Sequence, residues 1–96
     1  RATDTMADWL GRGTLIKRQP TMGGEDFGMY GRTEHKVPIF MFALGTVSSD
    51  LIKRFRAAGK PLPMVHSSTY APDIEPSLRT GVRATTAAAL DLLSKR

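Results

Sequence analysis

The feature of the sequence that most constrains the fold is an apolar run at residues 37–44, which is interrupted only by Pro38. A short run that is apolar at every position is typical of a strand that is buried on both faces of a sheet. It is far shorter than the ~20 apolar residues that a helix needs to span a membrane. We therefore predict a buried strand here and place Phe40 and Phe42 in the core.

Helices are expected on both sides of this strand. Met6, Trp9 and Leu10 share one helical face ahead of Gly11, which would end the helix. The later expected elements are a brief strand at residues 14–17, a helix at about 49–58 capped by Ser49 and Asp50, an extended path at 61–66, and a closing helix with Pro76 in its first turn.

The closing helix carries an apolar stripe. At 100° per residue one face collects Leu78, Val82, Thr85, Ala89, Leu92 and Leu93. Burial of each large side chain in it would contribute about 1.5 to 3 kcal/mol before ordering entropy is subtracted, so this helix needs a sheet to cover it. The pattern favours an α/β fold. A single buried strand is too few for a sheet, and residues 1–96 are therefore expected to be one segment of a larger domain.

Composition excludes several classes of protein. The 96 residues allow at most one domain, and without cysteine they cannot form a disulfide scaffold or a thiolate zinc site. The net charge is +5, and four cations lie within eight positions, at Lys53, Arg54, Arg56 and Lys60. Such a cluster is more often a solvated helix face than a nucleic-acid site, although a small basic module that binds an anionic partner stays an alternative, as does a non-catalytic fragment. No membrane partner is expected, and the localisation is left open.

Of the two histidines, only His66 is a candidate for chemistry. It follows a proline-constrained stretch and precedes three hydroxyl residues, so it would lie at a rim, whereas His35 belongs to a charged loop and receives no role. Glu25 and Asp26 follow two glycines and would suit a helix N-terminus. A zinc site needs three or four donors, and no complete set has the right spacing here. His66 and the two acids are the one combination that could converge.

An ordered series of motifs extends this interpretation. It consists of Met22-Gly23-Gly24-Glu25-Asp26-Phe27, Pro38-Ile39-Phe40 leading to Leu44-Gly45, His66-Ser67, and a closing helix with Gly81 near its start. The series resembles the C-terminal end of bacterial metal-dependent amidohydrolases of the aminoacylase and zinc carboxypeptidase family, which includes the hippurate hydrolases. The resemblance extends from about Trp9 to Leu93.

The resemblance implies a fold and an activity for a larger parent enzyme. The chain would be the C-terminal segment of a catalytic domain with a three-layer α/β/α sandwich, and the insertion domain that serves as lid and dimer contact would lie outside it. The parent would be a homodimer that hydrolyses N-acyl amino acids or small peptides. Two zinc, manganese or cobalt ions would share a water that becomes acidic enough to ionise near neutral pH, and a glutamate would act as general base.

The resemblance also implies roles for individual residues. His66 matches the last metal ligand of the family, while Gly23, Gly24, Glu25 and Asp26 match a loop that lines the site near the substrate. Glu25 would have a supporting role in which it orients the metal ligands. Ser68 and Tyr70 depart from the family, which often has proline and phenylalanine there. The other ligands and the general base have no counterpart in this chain, and we expect the isolated segment to be inactive.

Overall fold

The computed structural model describes residues 1–19 and 26–94 as a helical chain. Three α-helices are present, α1 (Ala2–Leu10), α2 (Ser49–Ala57) and α3 (Ile74–Leu93), with short 3-10 helices at Arg12–Thr14 and Phe27–Arg32. Within these described ranges no residue belongs to a β-strand. The prediction of an α/β sandwich is therefore wrong. None of the helices described is long and apolar enough to cross a lipid bilayer.

Helices α1 and α2 end where the sequence predicts. Gly11 follows α1 with φ 95°, and Gly59 follows α2 with φ 66°, which is backbone that glycine adopts without strain. The N-terminal cap of α2 is one residue earlier than predicted, because Ser48 Oγ accepts a hydrogen bond from Leu51 N at 3.2 Å.

Helices α1 and α3 form an antiparallel pair that contains the buried core of the described chain. Arg1 at the start of α1 pairs with Asp91 near the end of α3, with 2.7 Å between Nε and Oδ2. At the other end the Arg83 guanidinium donates to the Trp9 carbonyl. The buried core residues that these two helices contribute are Met6, Ala7, Ala84 and Ala87. Because three of the four are alanines, the helices can approach closely but bury little apolar area.

The predicted burial of the α3 stripe is wrong. Leu78, Val82, Leu92 and Leu93 are all exposed. At 100° per residue the buried alanines of α3 lie roughly on the opposite face from that stripe. The physical reason is that α1 is only nine residues long and packs on the alanine face, while none of the residues that the structure describes forms a sheet against the other face.

Residues 37–44 form no strand, which corrects the prediction that they are buried. Phe40 and Phe42 are exposed and contact each other, with ring centroids 6.2 Å apart. Within the described chain no backbone hydrogen bond involves these residues, and without a neighbouring strand they form no ladder. The strand predicted at residues 14–17 is wrong too, since Arg12–Thr14 is a 3-10 helix and the residues after it are irregular.

The chain is extended for its length. Its radius of gyration is 16.2 Å, whereas a compact domain of this length has a value of about 12.5 Å. Its accessible surface is 8578 Å², whereas a compact monomer of this mass exposes about 5,400 Å². The excess surface of about 3,200 Å² means that the elements share too small a core to enclose their apolar faces.

Candidate functional site

His66 lies in an exposed turn between α2 and α3. Ser67 N donates to the Met64 carbonyl at 2.9 Å and so closes the turn around the histidine. The His66 side chain is exposed, and it makes no hydrogen bond or ion pair with any residue that the structure describes. The imidazole is therefore presented to solvent.

The hydroxyl residues after His66 hold the backbone of this turn. Ser67 Oγ accepts a hydrogen bond from Thr69 N at 3.2 Å and lies 2.8 Å from Thr69 Oγ1. Tyr70 N in turn donates to the Ser67 carbonyl at 3.1 Å. These local bonds restrict the segment that carries the histidine, as is usual for serine and threonine in turns.

Thr46 anchors the far end of the His66 turn to α3. Its hydroxyl is hydrogen-bonded to the hydroxyl of Tyr70. Its carbonyl accepts from Asp73 N at 2.7 Å and from Ser77 Oγ at 3.5 Å. The position of His66 is thus coupled to the start of α3 through one residue that follows the apolar segment.

Replacement of Tyr70 by phenylalanine tests this coupling. We expect the variant to lose about 0.5 to 1.5 kcal/mol of stability, because the partly buried Thr46 hydroxyl loses its partner. Urea titration followed by circular dichroism measures the loss. The Thr46→Val variant is the matched control, since the double variant should lose less than the sum of the single ones; full additivity would contradict the bond.

Of the predicted substrate loop, the structure describes only Asp26. Gly23, Gly24 and Glu25 lie outside the described residues. Asp26 is exposed and precedes the 3-10 helix Phe27–Arg32, where its carbonyl accepts from Met29 N at 2.9 Å and its side chain caps nothing. No hydrogen bond joins Asp26 to His66. The predicted convergence of these two residues stays a prediction.

The histidine and acidic side chains of the described residues show whether this chain could bind a metal ion without other polypeptide. Among residues 1–19 and 26–94 no group of three histidine or acidic side chains lies close enough to hold a cation. One imidazole supplies one corner of a tetrahedral site and leaves three without a ligand. The described residues therefore do not form a metal centre by themselves, and no reaction step follows from them.

The second histidine lies where the sequence predicts. His35 is exposed in a charged turn, and its Nε2 is 3.3 Å from Glu34 Oε1. The basic cluster of α2 is also exposed, and its cations form no ion pair with other described residues. A solvated helix face accounts for this arrangement.

An apolar groove that was not predicted from the sequence lies beside α3. We call it the α3 groove, and the residues that line it are Leu44, Thr46, Pro72, Ile74, Ser77, Leu78, Gly81, Val82, Thr85 and Thr86. Leu44 lies over Gly81, where a Cβ would be 3.2 Å from Leu44 Cδ2. The apolar stripe of α3 carries the signal for this groove, since Leu78, Val82 and Thr85 belong to both, but an apolar stripe alone does not distinguish a buried face from an exposed groove.

Comparison with known proteins identifies no relative of this chain. No family model, no curated protein and no solved structure matches the chain. The fold and the site therefore define a class only in structural terms, as an open helical pair with an exposed histidine turn and an uncovered apolar groove.

Proposed function

We propose that this chain is part of a metal-dependent amidohydrolase that hydrolyses the amide bond of N-acyl amino acids or small peptides. In this proposal His66 is one ligand of a two-metal centre in the parent enzyme. The remaining ligands and the general base come from polypeptide outside the chain. A bound divalent ion would supply the acidity that a water needs to attack an amide at neutral pH.

The observation that carries the proposal is the presentation of His66. Its imidazole is exposed and unpaired among the described residues, while hydrogen bonds on its C-terminal side hold the turn in place. A metal ligand requires a free ring nitrogen on a positioned backbone. A histidine buried in the core would instead have a hydrogen-bond partner within the protein. The class of reaction is proposed from the resemblance of the motif series, which includes His66-Ser67 and Gly81, to the amidohydrolase family.

The incomplete core gives independent support for a larger parent. Met6 is the one large side chain among the described residues that is fully buried, and the apolar segment at residues 37–44 is exposed. A chain with this much uncovered apolar surface is expected to fold against other polypeptide. The parent would supply both that surface and the missing ligands.

An activity assay on the chain by itself tests whether the remaining catalytic groups lie outside it. Purified chain is incubated with hippurate and either manganese or zinc, and release of glycine is followed. We expect no turnover above the rate with metal alone, because a single imidazole holds no metal pair. Sustained turnover by the chain would contradict the proposal, since the catalytic groups would then lie within it.

A further inference from the structure

The second half of the exposed apolar run, residues 39–44, has the composition of a segment that pairs with copies of itself. We call it the 39–44 segment. It contains no charged residue, no proline and no glycine, and Ile39, Phe40 and Phe42 are of types that are enriched in β-strands. Six-residue segments of this kind stack as intermolecular strands. Charged residues that would prevent such pairing are absent from residues 37–49, and Pro38 lies ahead of the segment.

The structure leaves the 39–44 segment accessible to another strand. All of its large side chains are at least 36% exposed. The rings of Phe40 and Phe42 have centroids 6.2 Å apart, in agreement with an extended chain, where residues two apart lie on the same face. The backbone of the segment makes no backbone hydrogen bond within the described chain. A strand from another molecule would therefore replace water at these groups and break no backbone bond that the structure describes.

The pattern of the segment favours a second copy of the chain as its partner. In an extended strand Phe40, Phe42 and Leu44 lie on one face, and Ile39 and Met41 lie on the other, so both faces are apolar. Identical copies can pair without like charges opposite each other, and the segment has no charge that would select a different partner. Because a strand has two edges, a copy that pairs along one edge leaves the other edge open for a third.

We infer that the 39–44 segment pairs with the same residues of further copies and forms an intermolecular β-sheet of three or more strands. Two strands alone are only marginally stable in water, whereas a third strand gives the sheet an apolar face of stable size. The inference is independent of the proposed function, since it concerns the chain by itself. Each copy carries a net charge of +5, which opposes association at low salt. Screening of this repulsion should therefore strengthen the assembly as salt is added.

Sedimentation and infrared spectroscopy of the purified chain test this inference. Over about 1 µM to 1 mM we expect species larger than a dimer, together with an intermolecular β signal in the amide I band. Met41→Pro removes a backbone donor from the centre of the segment and should raise the concentration needed for association at least about tenfold. Ile16→Pro is the matched control and should leave that concentration unchanged. It also replaces an exposed apolar residue in irregular backbone, and Leu15 before it is already extended, at φ −95° and ψ 125°.

A second variant decides the result if Met41→Pro loses the helical signal in circular dichroism. Met41→Lys keeps the backbone donor, its side chain is exposed in the monomer, and it places like charges together only when copies pair, so it should weaken association as well. A chain that stays monomeric throughout the range would overturn the inference. So would association without a β signal, association that weakens as salt is added, or association that responds equally to the variants at positions 41 and 16. A closed dimer that ignores both Met41 variants would assign the contact to another surface.

Discussion

Replacement of His66 by alanine in the complete parent is expected to remove metal and nearly all hydrolytic activity. The imidazole is the proposed metal ligand and is exposed without a partner among the described residues, and a metal site that loses a ligand loses affinity steeply. We expect turnover to fall at least about 100-fold. Metal stoichiometry by elemental analysis and the initial rate with hippurate measure the two effects.

His35→Ala is the matched control for this experiment. Both histidines are exposed in turns, but His35 lies beside Glu34 and has no predicted role. It should leave metal content and rate within twofold of the unmodified parent. If His66→Ala kept its full complement of metal, the ligand role would be wrong. If both variants lost metal equally, the loss would reflect general instability.

The substitution Ala87→Leu is expected to have the largest effect on the stability of the helical pair. Ala87 is 1% exposed and lies between α1 and α3, where a larger side chain must push the helices apart. Overpacking of this kind costs about 1 to 3 kcal/mol. In so small a core that loss should separate the pair. Urea titration followed by circular dichroism at 222 nm measures it.

Ala89→Leu provides the control on the same helix. Ala89 is exposed, so the added side chain meets solvent and the helix propensity barely changes. We expect its stability to stay within about 0.5 kcal/mol of the unmodified chain. Equal destabilisation by both variants would show that the alanine face is not the contact between α1 and α3.

The ends of the helices could be predicted from the sequence because they depend on local chemistry. Gly11 and Gly59 adopt positive φ angles after α1 and α2, and glycine is the residue that does so without strain. The exposed turn at His35 follows from its charged neighbours in the same way. Each of these features is decided within a few residues along the chain.

The strand predicted at residues 37–44 was wrong because a strand is not a local structure. Its apolar residues indicate a segment that would be stable if covered, but its backbone needs a neighbour that the described chain does not supply. The bond between Thr46 and Tyr70, which follows the His66 turn, was equally beyond prediction. Their hydroxyls meet across 24 residues, and no spacing rule relates them.

The sequence by itself determined where α1, α2 and α3 lie and which residues share each helical face. Only the tertiary structure decided that α3 buries Ala84 and Ala87 and leaves Leu78 and Val82 uncovered. The physical reason is that periodicity places side chains on one face of a helix, whereas burial depends on the surface packed against that face. Arg1 and Arg83 hold α1 on the alanine face through Asp91 and Trp9, and the larger apolar face stays open.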